Sequence, residues 1–379
     1  MQYMDIIFNI CTMNKDLLYL IALTQIQGIG NIRAKSLINN FENNLESLFT
    51  ASLKNLLSIE NIGTVLAQNF ISQREKALEK ATIIINESIA DQVVIVAYTS
   101  NEYPYYLKFC VDCPLVLYFK GSALSLLQNK MLSIVGTRNA TEYGKKITEQ
   151  IVSELQHLDV VVVSGLAYGV DVMAHQKAIQ LNIPTIGVLA HGLDIIYPSQ
   201  HGKYAQEMLK NGGLLSEYPF HTKPDREHFP ARNRIVAGLS EATIVVEAAK
   251  KGGALITANL ADGYNREVFA VPGRIDDLYS EGCNYLIKNN RAQIYTNVKN
   301  IFTVLRWEVE KSNTVQPQLF LELTPNEQII YDLLLKKPLH IDALCSHSDL
   351  SISEALNILF NLEMNGVVKS LPGKMYQIY

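Results

Sequence analysis

The 379-residue chain lacks an uncharged apolar run of about 20 residues, the length a membrane-spanning helix needs. Its apolar start, MQYMDIIFNICT at 1–12, is too short and has no basic flank of the kind that opens a secretory signal. A soluble cytoplasmic protein with no membrane partner is therefore expected, with Met1 or Met13 as its start. Charge of one sign is also missing: 33 Lys and Arg stand against 37 Asp and Glu, for a net charge of −4. Bulk charge does not announce a nucleic-acid binder, so any such surface must be a local patch. Cysteine is sparse and odd in number, at five. Cys110 and Cys113 form the one close pair, and without a second pair a zinc site is disfavoured against reduced structural thiols.

Several catalytic signatures are absent as well. There is no Gly-x-Ser-x-Gly elbow, no Gly-Lys-Ser/Thr phosphate loop and no His-Glu-x-x-His. A dinucleotide fingerprint is missing too, since Gly165-x-Ala167-x-Gly169 has the wrong spacing and no acid follows to hold a ribose. No cofactor and no enzymatic activity are expected. Asp171, His175, Glu217 and Glu247 are the groups able to do acid–base work. Asp171 can equally cap a helix and His175 can be a satisfied buried imidazole, so the structural reading is preferred for all four.

What is present falls into three zones. Residues 1–90 read as helical, with apolar Leu17, Leu18, Leu20, Ile21 and Leu23 on one face. Gly28-Ile29-Gly30 and Asn61-Ile62-Gly63 each precede a helical pattern. They suggest helix-hairpin-helix units whose glycines expose backbone N–H groups to a DNA phosphate, or a small helical bundle with plain glycine caps. Residues 91–307 alternate short valine- and isoleucine-rich runs with helical patterns. Strands are expected at 93–98, 131–135, 159–163, 184–189, 242–247, 267–271 and 291–295. Such runs mark strands buried on both faces, so the fold class is α/β with a doubly wound parallel sheet. Residues 308–323 form a polar linker around Pro317. Residues 324–379 read as three helices and a hairpin turning at Leu371-Pro372-Gly373-Lys374, a winged helix-turn-helix. This zone contains no arginine. Its helix at 351–364, the one that would have to enter a DNA groove, carries only Glu354 and Glu363. A protein-binding or oligomerising role suits it better than duplex reading.

The expected site lies in the loops leaving the strands' carboxyl ends, where open α/β sheets bind ligands. Gly136-Thr137-Arg138 leaves the 131–135 strand, supplying close backbone approach, a hydroxyl and a planar guanidinium suited to phosphate. Ser164, Gly165, Ala167 and Gly169 line the next loop. Lys203 follows Tyr197-Pro198, and Phe229, Arg232, Asn233 and Arg234 open another helix. Gly252 and Gly253 follow Lys250 and Lys251. Basic loops interleaved with Tyr143, Tyr168, Tyr197, Tyr218 and Phe229 fit a single strand, whose bases stack on rings.

Together, Gly136-Thr137-Arg138, SGLAYGVDVMAH (164–175), HGLDIIYPSQHGKYAQEM (191–208), GGLLSEYP (212–219), FPARNRIVAGLS (229–240) and VVEAAKKGGALITANLADGYNREVFAVPG (245–273) resemble the DNA-processing protein A family, DprA or Smf. The resemblance implies an extended Rossmann fold and a homodimer. It further implies binding of single-stranded DNA without sequence preference, and delivery of that DNA to the recombinase RecA in natural transformation. It points to Arg138 and Lys203 as DNA contacts, then to Arg232, Asn233 and Arg234, with Gly165, Ala167, Gly169, Gly252 and Gly253 shaping the pocket. The rival is a Rossmann-type nucleotide N-glycosidase or phosphoribohydrolase, to which Glu247, Lys251-Gly252-Gly253 and Thr257 are similar in a different order, without the glutamate expected downstream of Thr257.

Overall fold

The computed structural model describes residues 15–156, 158–307, 323–335, 337–348, 350–365, 367–371 and 374–378. The two candidate starts, residues 308–322 of the expected linker and the central Pro372-Gly373 of the last turn lie outside the described residues. The chain divides into two compact units, residues 1–309 and 310–379.

Among the described residues the first unit begins with five helices: α1 (Lys15–Thr24), α2 (Asn31–Asn40), α3 (Leu45–Thr50), α4 (Leu53–Leu57) and α5 (Thr64–Ala90). Both glycine turns precede helices, and Gly30 and Gly63 are N-caps that supply no side-chain cap. Leu20, Ile21, Leu23, Leu37, Leu48 and Phe70 are fully buried here. They share one core with Leu115, Val116, Leu166 and Leu189 of the sheet region, so these helices do not form an independent core.

The sheet region runs β1 (Val94–Ala97), α6 (Tyr105–Lys108), β2 (Val116–Gly121), β3 (Lys130–Val135), α7 (Glu142–Glu154), β4 (Val160–Ser164) and α8 (Val170–Gln180). It continues through β5 (Thr185–Leu189), α9 (Gly202–Asn211), β6 (Gly212–Ser216), α10 (His228–Leu239), β7 (Ala242–Val245) and α11 (Gly253–Gly263). It ends with β8 (Glu267–Ala270), α12 (Glu281–Lys288), β9 (Gln293–Ile294) and α13 (Val298–Leu305). The strands form one nine-stranded sheet in the order β1-β2-β6-β5-β4-β3-β7-β8-β9. All seven expected strands form, and the seven from β6 to β9 in that order are parallel. The all-parallel expectation needs one correction, because β1 pairs β2 and β2 pairs β6 antiparallel. The sequence reading passed over β2 and β6. In β6 the leading Gly212-Gly213 weakens the strand signal, yet side chains there would collide with Thr185 and Phe119 on the neighbouring strands.

One face of the sheet packs Ile235, Val236, Ala254 and Cys283 of α10, α11 and α12. The other packs Ile151, Val152, Ala174, Ile301 and Trp307 around α7, α8 and α13. Helices on both faces leave the loops at the strands' carboxyl ends as the open edge. The strand order reverses at β3, whose neighbours are β4 and β7, and such a switch point opens a crevice between diverging loops.

The second unit holds α14 (Pro325–Leu334), β10 (Leu339–His340), α15 (Ile341–Ser348), α16 (Ile352–Met364), β11 (Val368–Leu371) and β12 (Met375–Ile378), the winged helix expected from the sequence. Pro325 at the first helical position and the Thr324–Glu327 capping box start α14. Ile330, Leu334, Ile341, Leu344, Ala355, Leu359, Leu362 and Val368 form its own core. Among the described residues, no helix is long and apolar enough to cross a membrane.

Candidate nucleic-acid interface

A cleft of about 730 Å³ opens at the β3/β7 switch point. Its walls are Gly136, Thr137 and Arg138 after β3, Gly165 and Ala167 after β4, and Gly252, Gly253 and Ala254 after β7. Tyr197, Arg226, Phe229, Arg232 and Asn233 also line it, with the carboxylates Asp171 and Asp225.

The β3 and β4 loops are locked together by backbone. Gly169 holds φ +76°, and a Cβ there would lie 2.2 Å from the Thr137 carbonyl oxygen, so only glycine fits. The Val170 N–H donates to that same carbonyl at 3.3 Å, and the Thr137 N–H donates to the Glu247 carbonyl at 2.7 Å. Arg138 is thereby presented from a fixed turn. It is exposed, has no carboxylate within ion-pair distance among the described residues, and its guanidinium lies 5.6 Å from the centre of the Phe229 ring. Phe229 in turn meets Tyr197 at 5.7 Å between ring centres. A cation and two rings therefore share one rim, with Tyr197 half exposed.

The floor is a buried charge network. Arg232 is only 4% exposed. Its Nη1 donates to the Gly165 carbonyl at 2.6 Å and also to the Val188 carbonyl, tying the β4 and β5 loops to α10. Asp171 accepts from the Gly165 N–H at 3.1 Å. A side chain at Gly165 would strike both charged groups, so the glycine makes their slot. Burial pushes the Asp171 carboxyl up, against the pull of Arg232. Burial likewise lowers Arg232 to about 10, with Asp171 opposing. Arg232, expected as a DNA contact, lines the cleft from its floor.

The far wall is the start of α11. Gly252 caps it without a side chain, and Gly253 has open space where its Cβ would stand. An unobstructed helix N-terminus facing a cleft favours an anion. Asn233 reaches toward it, its Nδ2 3.5 Å from the Gly253 carbonyl.

Three expected residues stand elsewhere. Arg234 is two positions after Arg232, so it points to the other side of α10. Its guanidinium pairs closely with Glu217, each side chain 12% exposed, and donates to the Asp112 carbonyl at 2.8 Å. It does not line the cleft. Ser164 is fully buried and donates to the Ile134 carbonyl at 2.6 Å, which makes it an interior brace. Lys203 is exposed in the first turn of α9 and does not line the cleft. It follows Gln200, whose side chain accepts a hydrogen bond from Tyr168 at 2.9 Å.

The remaining acid–base candidates are engaged. Both Glu247 oxygens cap α7, one accepting from the Thr141 hydroxyl and the other from the Thr141 N–H at 2.9 Å. The Thr185 hydroxyl donates to Val162, so it accepts from His175 Nδ1 at 2.7 Å, leaving Nε2 bare. Burial lowers His175 to about 3. Burial raises Glu217 against the attraction of Arg234.

The sequence and the fold have counterparts among known proteins. The sequence profile of the family described as DNA recombination-mediator protein A matches residues 94–306, and the DprA winged helix profile matches 316–374. The chain belongs to this family. It is 39% identical over 256 residues to DNA processing protein DprA of Bacillus subtilis (strain 168), covering 68% of this chain and 85% of that protein. The X-ray structure of DprA from Streptococcus pneumoniae superposes with a TM-score of 0.65 at 30% identity, covering 76% of this chain and 97% of that one. A second structure, concerning the single-stranded DNA binding mode of DNA processing protein A from Helicobacter pylori, gives 0.51 at 34% identity, covering 57% and 96%.

In this DprA-family chain the sequence reading missed one cation on the cleft wall. Arg226 lines it, exposed and without an ion-pair partner among the described residues. A basic residue three positions before Phe229 was the available signal, but in a polar loop it reads as solvated surface.

Proposed function

We propose that the cleft binds single-stranded DNA and that the protein delivers the strand to the recombinase RecA. The observation that carries this reading is the rim itself: Arg138 and Arg226, unpaired among the described residues, stand beside the neighbouring rings of Phe229 and Tyr197 and opposite the bare N-terminus of α11. Cations and amides hold successive phosphates, and rings take bases whatever their identity. Lys203, exposed at the start of α9, is a further candidate for a phosphate. The Helicobacter pylori relative, whose single-stranded DNA binding mode has been described, supports the ligand class. The recombination-mediator description of the matching family supports RecA as recipient.

The protein acts by binding rather than catalysis. The glutamate that an N-glycosidase reading expects downstream of Thr257 is missing, and Glu247 has both oxygens committed to Thr141. Two copies pair as a homodimer in the cytoplasm. The two-residue edge strand β9, with Ile294 half exposed, offers a pairing surface. As functional domains we assign 1–90 to a helical accessory region, 91–307 to DNA binding, 308–323 to a linker and 324–379 to the winged helix. Competition between a single strand and a duplex of the same sequence at several salt concentrations tests the reading. Preference for the single strand, with affinity falling steeply as salt rises, is expected; duplex preference would refute it.

A further inference from the structure

The third helix of the winged unit, α16, is apolar on two faces. Ala355, Leu359 and Leu362 fill the unit's own core. On the adjoining side, about 90° round the helix, Ile352, Leu356 and Phe360 are 56%, 44% and 62% exposed. Their i, i+4, i+8 spacing makes one stripe about 12 Å long. A second apolar stripe beside the core face is more than the unit needs for its own packing, and contiguous exposed apolar surface marks an interaction site. Nucleic acid is a poor cover. The helix has no cation, and its carboxylates are in use: Glu354 closes the Ser351 capping box, and Glu363 accepts from the Ser370 N–H at 3.1 Å and hydroxyl at 2.7 Å.

We propose that this stripe pairs with the same stripe of a second copy, the two α16 helices running antiparallel about a two-fold axis at Leu356. The stripe is self-complementary under that operation. Leu356 meets Leu356, and Ile352 at one end meets the bulkier Phe360 from the other. Charge agrees. Glu363, the one charge on the stripe's side, falls just beyond the N-terminus of the opposing helix, where the helix dipole favours an anion. The flanking Asn357 and Asn361 are neutral, so no like charges meet in the middle. Area sets the strength. The three side chains offer on the order of 300 Å² per copy, against about 800 Å² per partner in a standard interface. The pairing is therefore weak between free units, and it becomes effective where the chains are already held together or crowded along one ligand.

The unit formed by residues 310–379 has its own core and can be studied alone. Sedimentation equilibrium from about 10 µM to about 1 mM should show its mass rising toward twice the monomer value, as expected for such a small interface. Phe360→Glu and Leu356→Glu should hold it at the monomer mass with unchanged circular dichroism, because both side chains point outward. In the full chain carrying Cys345→Ser, Leu356→Cys sits on the axis and should crosslink to its copy under mild oxidation. Gln328→Cys, exposed on α14, should not. A wild-type unit that stays monomeric at the highest concentration overturns the proposal. So does a unit that binds residues 1–309 in trans instead of itself, or a full chain in which the two cysteine variants crosslink equally.

Discussion

Replacing Arg138 by alanine separates binding from folding. The side chain is exposed and lacks a carboxylate partner among the described residues; its guanidinium rests against the face of Phe229, 5.6 Å from the ring centre. An exposed interaction of that kind contributes about 0.5–1 kcal/mol, so the melting temperature should barely move. A charge-assisted hydrogen bond to phosphate contributes about 1.5–3 kcal/mol, which corresponds to roughly a 10- to 150-fold loss of affinity. The log–log salt slope should flatten by about 0.7 for each phosphate of a single strand that the variant no longer neutralises. Arg234→Ala is the matched opposite, because it leaves Glu217 buried without its cation. That costs about 3–5 kcal/mol of stability, while the affinity of the remaining folded protein should hold. Fluorescence anisotropy with a labelled oligonucleotide at three or more salt concentrations, beside thermal unfolding, reads affinity, salt slope and stability for both variants. If Arg138→Ala binds with unchanged affinity and slope, or if Arg234→Ala loses binding without losing stability, the assignment of the two arginines is wrong.

Phe229→Ala should weaken single strands by about 1–3 kcal/mol for each stacked base with little change in salt slope, since a ring and not a charge is removed. Equal weakening of the slope would argue against stacking. Gly253→Ala adds a methyl group to open space, so stability should be unchanged or slightly raised, while affinity drops because the anion seat is crowded; anisotropy and unfolding together decide it. His175 makes stability depend on pH. Burial keeps it neutral in the fold down to about 3, whereas the unfolded chain protonates it near 6.5. Its contribution is therefore whole above about 6.5 and declines as pH falls toward 3, by about 2 kcal/mol at pH 5. Urea unfolding of wild type and His175→Gln across pH 5 to 8 should show a flatter profile in the variant, and parallel profiles would refute the assignment.

The sheet was legible because strands buried on both faces must be β-branched and continuous, as VVVV at 160–163 and TIVV at 243–246 are. The loops carrying Gly136-Thr137-Arg138 and Gly252-Gly253 follow such strands directly, so sequence order alone set them at one edge. The winged unit was equally plain from its capping signals and its closing hairpin. Less legible were β2 and β6, whose antiparallel pairing depends on partners roughly a hundred residues away in sequence.

What only the tertiary structure decided is the fate of each charge. Arg232 and Arg234 sit in the same motif and look alike as letters. A rotation of about 200° between them on α10 sends one into the cleft floor and the other to Glu217 on a different side of the helix. Periodicity and turn chemistry are local and survive in the sequence. Whether a cation is free to meet a ligand depends on which distant carbonyl or carboxylate reaches it first, and that is settled only when the chain packs.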